Sequence, residues 1–422
     1  MEKEIRKVLV SGMIGNALEW YDFVLFVQFA PFIGKLFFPA QDNDASLLAV
    51  LGVFAAGFIM RPIGGILFGY LGDKFGRKAS LVFSILMMSV PTAFIGILPT
   101  YEMIGIWAPI LLTLIRLMQG VALGGGFSGC MTFLVEHAPA DKRGIMGSAS
   151  MFSLGAGVLL GIVITSIFSY SMNVADFERW GWRIPFLISI IIGLVAFYIK
   201  NNVNESPVYE QAKQHGKLSK TPVREVFKSY LKPLLVAIGV YLTVTVPFYT
   251  FSAFFNTFMQ KEMHFSLHDT MTINGIAISM FMLSMPLSGY LSDKFGRKML
   301  LKYSAIAIAL SAYPVFCLLI SGSFQNALFG QVIFGIFLGF YMAPVPATLV
   351  ELFPTSVRFT GLALSYNISA ALFGGTAPFI YVNLIKFTGS KVAPAFYIMF
   401  FVTLTLVALK GYKDKNNLQL DE

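Results

Sequence analysis

The chain of 422 residues is 56% hydrophobic and only 13% charged, with a mean hydropathy of +0.72. A soluble domain contains about 25% charged residues, so this composition excludes an ordinary soluble domain and indicates a protein of the lipid bilayer. The formal net charge of +9 would suit a nucleic acid as partner, but the positions of the basic residues give it another meaning.

Apolar runs of about 20 residues, long enough to cross a bilayer, recur along the whole chain. They lack the two-residue alternation of barrel strands, so we predict α-helices, which satisfy their own backbone hydrogen bonds. No small-residue cleavage site follows the short charged N-terminus, so the first helix is expected to direct insertion itself. The predicted spans are 9–33, 46–72, 79–98, 106–136, 144–170, 184–200, 233–259, 269–292, 299–321, 326–352, 360–386 and 393–410.

The basic residues lie mainly on one side of this predicted membrane. Loops on the side of both termini hold 23 of the 31 Lys and Arg residues, whereas the opposite loops hold six. Since cytoplasmic loops are enriched in Lys and Arg, we predict cytoplasmic termini and a multi-pass protein of a bacterial-type cytoplasmic membrane. The partner of the positive charge is then anionic lipid, and no nucleic-acid partner is expected.

A ten-residue motif occurs twice and divides the chain. Residues 69–78 read GYLGDKFGRK and residues 289–298 read GYLSDKFGRK, so nine of ten letters agree. The repeat predicts two equivalent halves, at 1–200 and 233–422, joined by a polar cytoplasmic linker at 201–232. We therefore predict an all-α membrane protein with twelve transmembrane helices in two pseudo-symmetric six-helix bundles.

Charged residues of the repeats form a candidate gate on the cytoplasmic side. The acid of each ten-residue motif can accept hydrogen bonds from a neighbouring helix N-terminus or pair with the Arg four residues later. A second repeat, EHAPADKR at 136–143 and ELFPTSVR at 351–358, places Glu136 and Glu351 within reach of Arg143 and Arg358. Static anchoring of the loops is the alternative to gating. The candidate gating residues are Asp73, Arg77, Glu136, Arg143, Asp293, Arg297, Glu351 and Arg358.

Four charged residues lie well inside the predicted helices, away from the helix ends, and all are in the first half: Glu19, Asp22, Arg61 and Arg116. Such residues are costly in a membrane and are functional candidates. Asp22 in helix 1 and Arg116 in helix 4 are predicted to lie near the midplane of the membrane. Glu19 lies one turn from Asp22, and Gln119 lies one turn from Arg116. Asp22, or less favourably Glu19, is the candidate for proton coupling, with Arg116 as partner. A fixed Asp22–Arg116 structural pair is the alternative.

Several motifs resemble a known family. The Gly-x-Leu-x-Asp-x-x-Gly-Arg-Lys loop resembles the signature of the major facilitator superfamily in both halves. GNALEWYDF (15–23), RPIGG (61–65), RLMQG (116–120) and ELFPTSVRFTG (351–361) resemble its metabolite:proton symporter family, most closely the proline/betaine branch. The resemblance implies a transporter, not an enzyme, that uses a proton gradient and no cofactor.

The resemblance also implies the substrate class and the mechanism. The substrate is expected to be a small polar metabolite, either a proline/betaine-like zwitterion or an organic acid, carried with a proton by alternating access. A proton-independent facilitator or exchanger, or an exporter of the same fold, is the alternative. The family usually has a Glu where this chain has Gly126, and several members have an acid at the place of Met151. Coupling of transport to protons is therefore expected to rest on Asp22 alone, or the protein is a facilitator or exchanger without proton coupling.

The side chains for binding are basic, amide and aromatic. Arginine suits a carboxylate, and aromatic rings suit a quaternary ammonium group or an imino acid. The sequence shows no metal-ligand cluster or nucleophile–base pattern, and we expect a monomer. The predicted substrate-binding residues are Arg61, Arg116, Gln119, Tyr249, Asn256, Tyr341, Tyr366 and Asn367.

Overall fold

The fold is helical throughout the part of the chain that the computed structural model describes, with no β-strand there. The loop at 40–42 and several residues of the predicted C-terminal tail after residue 415 lie outside the described residues. The described residues are 2–39, 43–173, 176–201 and 203–415, together with Leu418 and Leu420.

Twelve long helical segments, α1 to α12 in chain order, correspond to the predicted spans. Within the described ranges, α3 to α12 are long and apolar enough to cross a membrane, and α1 and α2 are helices of 36 and 33 residues. The predicted twelve-helix architecture is confirmed, and most helices extend past their predicted ends. The helices are α1 (Glu2–Phe37), α2 (Asn43–Phe75), α3 (Arg77–Ile97), α4 (Trp107–Glu136), α5 (Arg143–Ser171), α6 (Arg183–Asn201), α7 (Leu231–Glu262), α8 (Leu267–Phe295), α9 (Arg297–Ile320), α10 (Phe324–Leu352), α11 (Arg358–Thr388) and α12 (Ala393–Ala408).

Two glycines form the turns of the repeated motif. Gly76 separates α2 from α3 with φ at +114°, and Gly296 separates α8 from α9 with φ at +94°. A residue with a Cβ rarely adopts this conformation, so glycine allows two long helices to meet at a single residue.

Other glycines let α4 and α10 approach their neighbours closely. A Cβ at Gly124 in α4 would lie 2.3 Å from the carbonyl oxygen of Arg61 in α2. At the equivalent contact of the second half, a Cβ at Gly339 would lie 2.5 Å from the carbonyl oxygen of Phe281. Small residues at these positions allow backbone-to-backbone packing in both halves.

Three helices of the second half are interrupted. A π-helical turn occupies Thr250–Phe254 in α7, and another occupies Ala370–Gly374 in α11. The helical hydrogen bonding of α10 breaks between Met342 and Val345. π-Turns are frequent at functional sites, and α7 and α11 contribute most of the aromatic residues described below.

The two halves meet along α2 and α11 and along α5 and α8. Between α6 and α7 the chain forms two short helices, Pro207–Gln214 and Pro222–Ser229, which lie in the segment predicted as linker. We refer to the end of the bundle that carries these helices as the linker end.

Candidate functional site

A buried acid in α1 is held by side chains of two other helices. Asp22 is 0% exposed and accepts hydrogen bonds from Arg116 at 3.0 Å, Gln119 at 3.0 Å and Thr92 at 2.8 Å. The Arg116 guanidinium also lies 3.5 Å from the ring centroid of Phe26. The predicted Asp22–Arg116 pair therefore exists. Thr92 was not predicted, although a threonine beside a proline within an apolar helix is a recognisable signal.

Arg61 in α2 is 1% exposed and lies between aromatic rings. Its guanidinium lies 5.1 Å from the ring centroid of Phe58 and 4.8 Å from that of Tyr366. It donates one hydrogen bond, 3.3 Å long, to the Tyr249 hydroxyl. No described residue accepts a hydrogen bond from its Nε or Nη2. Because an unsatisfied buried donor is costly, these atoms are available to donate to a bound ligand or a water molecule.

Further aromatic rings form a connected network with Tyr366 and Tyr249 at the boundary between the halves. The Trp20 ring lies 6.3 Å from Phe127 and 5.6 Å from Phe248, and the Tyr366 ring lies 5.1 Å from both Phe127 and Tyr241. Trp20 Nε1 and the Tyr241 hydroxyl are buried without a hydrogen-bond partner among the described residues. We call this set the central cluster. It comprises Trp20, Phe58, Arg61, Phe127, Tyr241, Phe248, Tyr249 and Tyr366.

The central cluster suits binding more than covalent chemistry. Its unpaired Arg61 N–H groups can bind a carboxylate, and its rings can hold a cation through their faces. Among the described residues, no group of His, Cys, Asp and Glu could hold a metal ion.

Glu19 in α1 fills the space that a side chain at position 126 would occupy. It is 1% exposed, and a Cβ added to Gly126 in α4 would lie 1.4 Å from its Oε1. At the place where the resembled family carries a Glu on α4, this chain therefore has a carboxylate supplied by α1.

Three other predicted binding residues make helix-packing contacts. The Tyr341 hydroxyl donates to the carbonyl of Val240 at 2.7 Å, and Asn256 bonds only to its own helix among the contacts described, at 3.4 Å. Asn367 donates to the carbonyl of Gly124 at 2.6 Å and so joins α11 to α4. The structure does not bring Tyr341 and Asn256 to the central cluster.

At the linker end, an acid of each half binds the start of a helix in the other half. Asp73 accepts hydrogen bonds from two backbone N–H groups at the start of α11, at 2.9 and 3.1 Å. Asp293 does the same at the start of α5, at 2.7 and 2.9 Å. Each also pairs with the Arg four residues later, at 3.3 and 3.1 Å. Both contacts predicted for these acids are present.

The first Glu of the candidate gate joins the halves. Glu136 pairs with Arg77 at 3.1 Å and with Arg358 at 2.8 Å. Arg77 in addition donates to the carbonyl of Thr355 at 2.8 Å. Every side chain named here is buried or nearly so, so the pairs form in a protected environment.

The second Glu repeats this pattern. Glu351 pairs with Arg297 at 3.2 Å and with Arg143 at 3.6 Å, and it accepts a hydrogen bond from the Tyr412 hydroxyl at 3.2 Å. The partners are therefore exchanged between halves: Glu136 pairs with Arg358, and Glu351 with Arg143, not with the Arg that follows each Glu in its own repeat. The pseudo-symmetry that places α4 beside α11 causes this crossing.

Two further acids at the linker end were missed by the sequence reasoning. Glu205 in the linker accepts from the backbone N–H of Lys78 at 3.1 Å, and Asp414 after α12 accepts from that of Lys298 at 3.0 Å. Burial raises the pKa of Glu205. Lys78 and Lys298 occupy equivalent positions of the repeated motif. An acid shortly after the sixth helix of each half was the feature of the sequence that could have identified Glu205 and Asp414.

Comparisons with known proteins agree with this architecture. A family model described as the Major Facilitator Superfamily matches residues 12–378. The chain is 33% identical over 424 residues to a "Proline/betaine transporter" of Escherichia coli K12, covering 98% of this chain and 84% of that protein. It is 34% identical over 423 residues to a "Glycine betaine/proline/ectoine/pipecolic acid transporter" of Dickeya dadantii, with the same coverage. The solved proton:xylose symporter XylE shares the fold at a TM-score of 0.79 and 19% identity, covering 100% of this chain and 98% of that one.

Proposed function

Because the chain belongs to the Major Facilitator Superfamily, whose members are membrane transporters and not enzymes, we propose that it carries a small zwitterion of the proline/betaine type. The observation that carries this proposal is the buried Arg61 with two unpaired donors inside a wall of aromatic rings. The names of its relatives point to the same substrate class.

The geometry of the central cluster suits the two charges of such a substrate. The carboxylate would accept hydrogen bonds from the free Nε and Nη2 of Arg61, with the Tyr241 hydroxyl and Trp20 Nε1 as further donors. The quaternary ammonium or imino group would lie against aromatic rings of the central cluster, whose faces attract cations. Among the described residues a dicarboxylate would find no second unpaired cation there, because Arg116 is paired with Asp22.

Proton coupling is the second part of the proposal. Protonation of Asp22 would weaken its pair with Arg116 and release α1 from α4, and this change would be transmitted to the neighbouring Trp20. Glu19 is a second buried carboxylate one turn away. In this scheme the linker end is cytoplasmic, and its ion pairs close that side until substrate and proton have bound.

A proton-independent facilitator or exchanger is the alternative, favoured by one observation. Asp22 accepts hydrogen bonds from three side chains of α3 and α4, an arrangement that suits a fixed structural contact between helices. If Asp22 never takes up a proton, the pair with Arg116 is structural and transport only equilibrates the solute.

Uptake into proteoliposomes tests the proposal. Labelled proline, glycine betaine and a panel of dicarboxylates are supplied with and without an inward proton gradient. Gradient-dependent accumulation of proline or betaine is the expected result. Equilibration without accumulation would favour the facilitator. Transport of a dicarboxylate but of neither zwitterion would refute the substrate assignment, and Arg61→Gln should abolish transport of the true substrate.

A further inference from the structure

A cavity of about 250 Å³ lies at the linker end, away from the central cluster. It is lined by residues of both halves, of the linker and of the segment after α12, among them Arg143, Arg358, Glu351, Tyr230 and Lys415. Its size is several times the volume of about 30 Å³ that one water molecule takes in the liquid. A compact polyatomic ion therefore fits within it.

The candidate gate contains two clusters of ion pairs, a first cluster around Glu136 and a second cluster around Glu351, and they differ at this cavity. In the first cluster, the guanidinium of Arg358 lies 2.8 Å from Glu136, and its Nε donates to two backbone carbonyls at 3.0 and 3.1 Å. In the second cluster, Arg143 lies 3.6 Å from Glu351 and donates instead to the carbonyl of Leu418 at 2.7 Å. The ion pair of Arg143 in the second cluster is therefore longer than that of Arg358 in the first cluster.

Arg143 retains an unused donor. The residue is only 3% exposed, yet its Nε has no hydrogen-bond partner among the described residues. A buried guanidinium with a free N–H on a cavity wall is a site for an oxyanion, because arginine donates to phosphate oxygens through paired N–H groups.

The charge of the surroundings favours an anion. The eight gate residues balance, with four arginines against four acids. The cavity itself is lined, among the described residues, by three basic side chains, those of Arg143, Arg358 and Lys415, and by one acid, Glu351, on which Asp414 acts from nearby. An anion between Arg143 of the first half and Arg358 of the second would also join the two halves.

We propose that this cavity is a regulatory oxyanion site that takes inorganic phosphate or a phosphate monoester and holds the linker end closed. The bound tetrahedral anion accepts hydrogen bonds from Arg143 and from Lys415, and its charge attracts Arg358. The proposed binding of phosphate to this cavity does not depend on which substrate is transported, whereas its regulatory effect rests on the proposed transport function. A phosphate headgroup of a lipid has the same chemistry, and the experiment separates the two sources.

The test measures the thermal midpoint of the purified full chain in lipid-free detergent against inorganic phosphate, with chloride at equal ionic strength as reference. Phosphate is expected to raise the midpoint in a saturable manner. Lys415→Glu reverses a charge at the site. It should therefore raise, by about tenfold or more, the phosphate concentration that produces half of the maximal midpoint shift. Lys413→Glu, an exposed neighbour that does not line the cavity, should leave that concentration unchanged.

Arg143→Gln should remove the phosphate effect entirely. An absent midpoint shift, or one that persists equally in Lys415→Glu and Arg143→Gln, would overturn the site. A shift produced by phosphatidylglycerol added to the detergent but not by phosphate would overturn the free anion as the ligand. In proteoliposomes, phosphate on the linker side should slow uptake in the parent but not in Lys415→Glu. Equal slowing in both would refute the regulatory role while leaving the binding result intact.

Discussion

At the scale of single residues, Asp22 is held by three side-chain hydrogen bonds from neighbouring helices. The donors come from α3 and α4, so this one carboxylate joins α1 to both helices. A change of charge here therefore acts on helix packing as well as on local hydrogen bonds.

Asp22→Asn is expected to abolish proton-driven accumulation and to spare counterflow exchange. An amide keeps the shape of the side chain but cannot carry a proton, and exchange requires no net proton movement. The loss of one partner from a buried pair should also lower the free energy of unfolding by about 3–5 kcal/mol. Counterflow in the same vesicles shows that the variant is folded, and Asp22→Glu is the matched control. Accumulation that survives in Asp22→Asn would assign coupling elsewhere, with Glu19 the next candidate.

Gly126→Ala is expected to lower the stability because the new methyl group would displace the buried Glu19 carboxylate. Overpacking of this kind costs about 1–3 kcal/mol, measured as a lower thermal midpoint with reduced uptake. Gly275→Ala is the control, since no heavy atom lies within 4 Å of a Cβ there. The double variant with Glu19→Ala should recover the midpoint. If Gly126→Ala alone is as stable as Gly275→Ala, Glu19 does not occupy this space.

At the scale of elements, the linker is attached to the bundle through Glu205 and Tyr209. Glu205 binds the start of α3, and the Tyr209 hydroxyl donates to the carbonyl of Lys74 at 2.9 Å. The Tyr209 ring also lies 4.7 Å from the Arg77 guanidinium. The helix Pro207–Gln214 is therefore coupled to the gate as well as joining the two halves.

The docking of this helix should weaken as the pH rises. Burial raises the pKa of Glu205, so the docked state binds the carboxyl proton more tightly than the undocked state. That contribution is complete below the ordinary pKa of a Glu and is lost as the pH rises through the raised value. Protection factors for hydrogen exchange in residues 207–214 should fall from acidic to neutral pH. Glu205→Gln should remove this pH dependence, whereas Glu210→Gln, an exposed acid of the same helix, should retain it. An equal dependence in Glu205→Gln and the parent would contradict the assignment.

At the scale of the whole molecule, the linker end is closed by contacts that repeat under the pseudo-symmetry of the halves. Asp73 and Asp293 each bind the start of a helix in the opposite half, and each gate Glu pairs with an Arg of the opposite half. Opening this end requires these contacts to break together.

Substitution of both acids, Asp73→Asn with Asp293→Asn, should open the linker end. Hydrogen bonds to a charged group are worth about 1.5–3 kcal/mol each, and the neutral amide loses part of this. Spin labels at the exposed Lys142 and Lys294, in a chain whose two cysteines are replaced by serine, should move apart. Labels at Lys35 and Lys261, at the opposite end, should move closer if the halves rock as rigid bodies.

Asp269→Asn serves as the control, because Asp269 lies near the start of α8 at the opposite end and makes a local contact with Ser266. If the linker-end labels separate while the opposite pair stays fixed, the halves do not move as rigid bodies. An unchanged linker-end distance would show that the two acids do not keep it closed.

The sequence by itself determined the class, the twelve helices and the division into halves, because lipid imposes helix length, apolar composition and loop charge on each segment separately. The repeated motif and the intramembrane charges also yielded Asp22 with Arg116 and the acids at positions 73 and 293. These features depend on local spacing, which is readable along the chain.

Only the tertiary structure decided which groups meet across the two halves. It paired Glu136 with Arg358, placed the Glu19 carboxylate over Gly126 and set Arg61 among rings contributed by several helices. It also assigned Tyr341 to helix packing. Contacts of this kind depend on the rotation and depth of each helix against its neighbours, and in a chain of nearly uniform apolarity the sequence pattern leaves helix rotation undetermined.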